Sequence, residues 1–287
     1  MAFCFLNKCV ILRVNYGLTT KEIAAIMLEH WLNCNVSARS YEKATGYALL
    51  IVREHKSPNP SQAKQKLRQW LRVCYCSSAY VRARIRSGAY SSAEDLYQQE
   101  KFPTGWKIKA ADFGEAVGHY LLESHPSFRF WLPLLRLRHK PDPEGSPHGF
   151  DLLGFLLKEE SGTDLLCIGE VRLRSTTKAT TQTIVRGHKT LQKYNRSREM
   201  RSVGRIAHWL HGENRIEDME KLARFSDPWG GPVFERRYAF IGILDDRIGI
   251  NPMIKAMNDS ENLLPDFTAC LNIVNNLRNK VEEAYAP

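Results

Sequence analysis

The sequence predicts an α/β (α+β) protein, with a mixed central sheet flanked by helices and an α+β extension at its N-terminus. Three observations predict it. From about Ala110 the chain runs helix, strands, helix, strand, helix, an order that lays helices on the faces of a sheet. Residues 148–174, HGFDLLGFLLKEESGTDLLCIGEVRLR, read as two apolar strands joined by a turn. The first hundred residues mix helix and strand signals and carry no catalytic constellation. A soft break at FPTG (Phe102–Gly105) divides an extension, residues 1–105, from a main domain, residues 106–287.

The opening MAFCFLNKCVILRV is apolar, but Lys8 and Arg13 interrupt it and no small-residue cleavage site follows. It reads as a strand or hairpin near a domain edge rather than a targeting segment. TTKEIAAIMLEHWLN has a cap signal at Thr20 and helical apolar spacing from about Lys21. TGYALLIV reads as a strand, and SPNPS (Ser57–Ser61) breaks the chain before a basic helix, SQAKQKLRQWLRVC. VRARIRSG alternates charged and apolar residues, and SSAEDLYQQ opens another helix.

In the main domain, Asp112 is expected as an N-cap with Glu115 three residues later, a capping-box spacing that starts a helix at DFGEAVGHYLLES. FRFWLPLLRLR and a Pro-rich turn region, KPDPEGSP (Lys140–Pro147), lead into the hairpin. TTKATTQTIVRGHKTLQKYNRS then reads as helical, with Arg186, Lys189 and Lys193 sharing one face. After a loop containing DPWGGP (Asp227–Pro232), RRYAFIGILDD reads as a buried strand from Arg236 to about Asp246. DFTACLNIVNNLRNKVEEAY is expected as an amphipathic helix with the stripe Phe267, Leu271, Val274, Leu277 and Val281.

The composition, 43% hydrophobic and 25% charged, is that of a soluble globular chain rather than a disordered one. A net charge of +10 favours polyanionic partners: nucleic acid first, then an anionic membrane surface or an acidic protein. No apolar run approaches the length that spans a bilayer. Of seven cysteines, only Cys74 and Cys76 lie close, and they lack the two-residue spacer of zinc and redox motifs. A reducing, cytoplasmic setting fits, with Cys167 a small hydrophobe inside its strand.

The hairpin poses the chemical question. Asp151 precedes one apolar run and Glu170 lies inside the other, and a carboxylate in apolar surroundings needs compensation by a metal, a salt bridge or water. If the hairpin folds about Glu160 and Ser161, with Gly162 easing the turn, Asp151 and Glu170 face each other across the ladder. Two carboxylates so close repel, and a divalent cation relieves the repulsion, with the Val171 carbonyl as a further hard oxygen ligand. Strand period places Glu170 and Arg172 on one face. An acid pair with a cation two residues on suits phosphodiester hydrolysis, in which the cation meets charge building on phosphorus.

The order GEAVGHYLLE, HGFDLLGF, GEVRLR and then a helix resembles the PD-(D/E)XK nuclease superfamily, whose pattern is Asp, a spacer and Glu/Asp-X-Lys. Within it, the order and spacing are similar to the HamA nuclease effectors of the bacterial Hachiman anti-phage system. The resemblance is best from about Phe113 to Tyr194. It implies a restriction-endonuclease-like core, with Asp151 and Glu170 as metal-binding acids, Glu115 as an accessory acid and Mg²⁺ or Mn²⁺ as cofactor. Arg172 stands where the family has its catalytic lysine. Arginine keeps the charge and grips phosphate bidentately, but it does not give up its proton at ordinary pH. Lys178 or Lys189 would be the source of a displaced ammonium.

The resemblance further implies a Mg²⁺-dependent DNA nuclease of phage defence, with DNA as substrate, little sequence preference, and a superfamily 2, HamB-like helicase as partner. Lys178, Arg186, Lys189 and Lys193 are the expected phosphate contacts. The alternative is a catalytically inactive nuclease fold that binds DNA or regulates the helicase, and RNA is the rival substrate. Each residue also has a plainer explanation. Asp151 fits a turn exit, Glu170 and Arg172 a same-face ion pair, Glu115 a capping box and His148 turn polarity. His119, four residues after Glu115, lacks a second histidine to complete a zinc set and is expected on the surface or in the core. Trp70, Trp131 and Trp209 are expected in the core.

Overall fold

The computed structural model describes residues 37–39, 47–54, 59–124, 128–145, 149–158, 163–176, 181–194, 196–225 and 234–287. The expected N-terminal strand, the Thr20 helix, the Glu160–Ser161 turn, His148, Lys178 and DPWGGP lie outside the described residues.

Among the described residues, six strands form one mixed sheet. They are β1 (Ser37–Arg39), β2 (Tyr47–Arg53), β3 (Leu152–Leu156), β4 (Asp164–Arg174), β5 (Phe234–Asp245) and β6 (Phe267–Val274), in the order β1-β2-β6-β5-β4-β3. The inner strands β2, β6, β5 and β4 are mutually parallel, while β1 and β3 close the edges antiparallel. Parallel strands covered on both faces read as continuous apolar runs. AFIGILD of β5 is such a run, buried from Ala239 to Asp245.

The same rule corrects the reading of the C-terminus. Phe267–Val274 is the strand β6, and only Leu277–Tyr285 is helical (α9). The stripe Phe267, Leu271 and Val274 has helical spacing, but Ala269, Cys270 and Ile273 between them are buried too. A segment apolar on all sides suits the middle of a sheet, here between β2 and β5. Asn276, with φ 52°, makes the turn from strand to helix.

Before the hairpin come α1 (Pro60–Tyr75), α2 (Ser78–Arg86), α3 (Ala93–Leu96) and α4 (Trp106–Ser124). The Asn59 side chain accepts from the Gln62 N–H and Pro60 opens α1, a combination that starts helices well. VRARIRSG falls largely within α2, where Ser77 caps the first turn. Its charge alternation is therefore that of an exposed helix rather than a strand. SSAEDLYQQ begins α3 as expected and widens into a π turn over Tyr97–Lys101.

Asp112 is not a cap. The helix starts at the FPTG break, where the Gly105 carbonyl accepts from Ile108 and Lys109, so Asp112 lies inside α4 and is buried. It pairs with Lys140 Nζ at 2.6 Å and accepts from the Tyr75 hydroxyl. A buried acid so compensated does not need the helix end.

After the hairpin come α5 (Thr183–Gln192), α6 (Arg196–Gly212), α7 (Ile216–Ala223) and α8 (Asn251–Asn258). Strand alternation sends Ile241 and Cys270 to one side, into a core with Trp70, Tyr120 and Val281, and Phe240 and Leu271 to the other, with Ile184 and Val203. β2 and α1 precede the FPTG break yet pack with elements that follow it: β2 pairs with β6, and Trp70 Nε1 donates to Ala116 O of α4 at 3.0 Å.

Candidate active site

The β3–β4 ladder begins with Leu152 opposite Gly169. Asp151, one residue before the strand, therefore stands opposite Glu170, which is the register expected from a fold about Glu160 and Ser161. Phe150 anchors the approach: it is buried, and its ring meets Tyr194 edge-on at 4.4 Å.

Asp151 Oδ2 accepts from the Val171 N–H at 2.9 Å. Within a strand, a residue's N–H and C=O point to the same edge, so the Val171 carbonyl opens on the Asp151 side, past the first ladder pair. The Val171 side chain points away, beneath α4, where a Cβ on Gly118 would lie 2.7 Å from Val171 Cγ2. Glu170, Arg172 and Arg174 share the opposite face of β4.

Glu170 is 4% exposed. Its Oε1 lies 2.5 Å from Arg172 Nη2, and its Oε2 accepts from the Tyr194 hydroxyl at 3.2 Å. Burial, and then the neighbouring Asp151 charge, push the Glu170 carboxyl up to about 7, against the pull of Arg172. Arg172 also donates to Thr190 Oγ1 of α5 at 3.4 Å. Arg174 is lowered by burial and by the charges of Arg172 and Arg186. Three guanidiniums thus crowd the end of β4, an arrangement that an anion relieves.

Glu115 reaches the site from α4, the layer under Val171. Its two oxygens are taken by Arg136, Nε at 2.7 Å and Nη2 at 2.6 Å, and the same Nη2 lies 3.3 Å from Asp151 Oδ1. Arg136 Nη1 also donates to the Phe150 carbonyl. Burial works against the Arg136 charge, and the Glu115 and Asp151 carboxylates outweigh it, holding the guanidinium above its ordinary range. Burial also raises the Glu115 carboxyl, and the Arg136 bonds oppose that rise.

Sequence reasoning missed Arg136 and Arg174. Arg136 is one of three arginines in FRFWLPLLRLR, with Arg129 and Arg138, and spacing does not say which of them meets a buried acid. Arg174 continues the Arg172 face by strand period.

A cleft opens beside Asp151, lined by Glu115, His119, Arg136, Ser202, Arg205 and Trp209 among others. His119 is a buried histidine at its floor, 3.7 Å from Glu123 and 5.9 Å from the Trp70 ring. Trp70 is in the core, whereas Trp131 and Trp209 are half-buried. Trp209 stacks on His139 with ring centroids 4.5 Å apart. Arg186, Lys189 and Lys193 are exposed on α5 and beyond its end.

Among the described residues no three His, Cys, Asp or Glu side chains are grouped to hold a metal ion. The oxygen donors that could hold one are Asp151 and Glu170, opposite each other in the ladder register, and the Val171 carbonyl. Such a hard-oxygen set would fit Mg²⁺ or Mn²⁺. Among the described residues no helix is long and apolar enough to cross a membrane.

No curated protein matches the sequence. A family model does: HamA, over residues 25–280.

Proposed function

The chain belongs to the HamA family, and from that premise we propose that it is a metal-dependent DNA nuclease with a PD-(D/E)XK-like core, the effector of an anti-phage defence system, controlled by a superfamily 2 helicase of HamB type. The observation that carries the reading is the Asp151–Glu170 pair, set face to face by the hairpin register, with Glu170 pushed up to about 7 by burial and by Asp151.

In this reading Asp151, Glu170 and the Val171 carbonyl hold Mg²⁺ or Mn²⁺. Bound there, the ion supplies a polarised phosphate oxygen and a water of lowered pKa. The protein's own groups do the positioning. The Val171 N–H and Arg136 orient Asp151 from two sides. Tyr194 and Arg172 orient Glu170. Arg172, whose side chain is 37% exposed, faces the substrate side and meets the charge that builds on phosphorus. It does not act as a base, because a guanidinium keeps its proton. Arg174, Arg186, Lys189 and Lys193 flank this point and favour a polyanion. Contacts to the backbone rather than to base edges give little sequence preference.

A second reading has a specific observation in its favour. Each acid already has a guanidinium partner, Arg136 for Glu115 and Asp151 and Arg172 for Glu170. A fold so neutralised would bind DNA or regulate the helicase without cutting.

The two readings part in one assay. Purified chain, alone and with the helicase, is incubated with plasmid in Mg²⁺ or Mn²⁺, with and without EDTA, and with RNA in parallel. Metal-dependent loss of plasmid that vanishes in Asp151→Ala and Glu170→Ala supports the nuclease. Intact plasmid under every metal, helicase included, leaves the second reading.

A further inference from the structure

The face that α6 turns toward the cleft is not accounted for by the hairpin. At about 100° per residue, Arg198, Ser202, Arg205 and Trp209 fall within one narrow sector of α6. Val203, Ile206 and Leu210 turn into the core. Arg198, Arg201, Arg205 and His208 are exposed. The acid in this stretch, Glu199, is buried and held by Arg236 at 2.7 and 2.8 Å. Among the described residues of α6, the outer face therefore presents arginines, and the acid Glu199 is turned inward.

A row of arginines on a helix is ordinarily only a solvated face. Here both ends of the row are tied to the acid pair. At one end the Arg198 guanidinium sits 5.3 Å over the Tyr194 ring, and the Tyr194 hydroxyl donates to Glu170. At the other, Ser202 and Arg205 line the cleft that Asp151 enters. The loop carrying Asp151 runs against them: Gly149 has φ 114°, and a Cβ there would lie 3.6 Å from Ser202 Oγ and 3.9 Å from Arg205 Nη1. The row thus runs alongside the path from Glu170 to Asp151.

We infer that the α6 row of Arg198, Arg201 and Arg205 binds the phosphodiester backbone of the DNA strand beside the Asp151–Glu170 pair, a surface separate from the basic face of α5. The row's steps of three and four residues advance about 5 Å along the axis, so it meets successive phosphates of one strand. Arginine suits the task, since its planar fork grips phosphate bidentately. The choice of DNA rests on the nuclease reading, but the binding itself does not require cleavage.

The test measures binding of a fluorescein-labelled DNA duplex by anisotropy across a salt series, in EDTA so that no cleavage occurs. The full chain is compared with Arg198→Gln/Arg201→Gln/Arg205→Gln and with the corresponding triple lysine variant. Melting and circular dichroism establish that each variant folds. The glutamine variant is expected to bind at least about tenfold more weakly, with a salt slope shallower by about 2–3, since each phosphate left unneutralised lowers it by about one. The lysine variant is expected to recover the slope. Wild-type affinity and slope in the glutamine variant overturn the inference, as does a wild-type chain that binds no DNA or prefers RNA in competition.

Cleavage in Mg²⁺ is scored separately. A chain that cuts, with a glutamine variant that binds like wild type, defeats the α6 surface and leaves the nuclease reading standing. A chain that binds through α6 and never cuts does the reverse.

Discussion

The Arg136 guanidinium closes on both carboxylate oxygens of Glu115, at 2.7 and 2.6 Å, and extends to Asp151 at 3.3 Å. One buried cation thus joins the helix before the hairpin to the first acid of the hairpin itself. Together with the Arg172–Glu170 contact, it shows how carboxylates survive in an apolar setting: guanidiniums compensate them, while Asp151 keeps its face toward the cleft.

Removing Arg136 should be costly. Arg136→Met leaves Glu115 buried without a counter-charge, a loss of about 3–5 kcal/mol, read as a lower urea midpoint. The double variant Glu115→Gln/Arg136→Met removes the stranded charge and should recover much of that loss. Additive single effects would show that the pair is not coupled.

The pH dependence has a definite sign. The folded-state pKa of Glu170, about 7, lies above the ordinary glutamate value of about 4.3. Its stabilising contribution is full below the unfolded value and is lost as pH rises through about 7. In EDTA, Glu170→Gln should therefore gain on the wild type across that window, by on the order of 3–4 kcal/mol. Added Mg²⁺ should raise the wild-type melting temperature above pH 7, where the carboxylate is free to bind it, and leave the variant unmoved. Parallel melting profiles for the two proteins would contradict this.

Arg172 meets the substrate in the proposed mechanism. Arg172→Ala should lower single-turnover cleavage by about 10²–10³. Arg172→Lys keeps the charge and should restore part of it. A lysine variant faster than wild type would instead identify the 2.5 Å Arg172–Glu170 contact as a brake.

α5 lies close on β5 at Gly187, where a Cβ would fall 2.1 Å from Phe240 Cδ2. Gly187→Ala should force the helix outward, costing about 1–3 kcal/mol, seen as a lower melting temperature. Gly204→Ala is the control. A Cβ there meets nothing within 4 Å, so the change should be neutral or stabilise α6 by about 0.5–1 kcal/mol.

What was legible in the sequence follows the range of the forces involved. The β3–β4 hairpin could be read because its turn residues and the symmetric placement of Asp151 and Glu170 are local. TGYALLIV and RRYAFIGILDD could be read because each strand is apolar and well bounded. DFTACLNIV could not, since a run apolar on every side satisfies helix and strand alike, and its two parallel neighbours decide the matter. Asp112 looked like a cap because the capping spacing is local, while its true partner, Lys140, lies beyond the helix. Arg136 went unassigned for the same reason. Its acids come from α4 and from the entry to β3, and only the folded chain brings them together.

The most direct test of the central claim is a calorimetric titration of the DNA-free chain with Mn²⁺ at about pH 8, above the Glu170 titration, where deprotonated ligands bind metal best. Saturable binding by the wild type that disappears in Glu170→Gln and Asp151→Asn is the predicted result. Equal heats in all three proteins would contradict the account, because the two acids would then hold no metal between them.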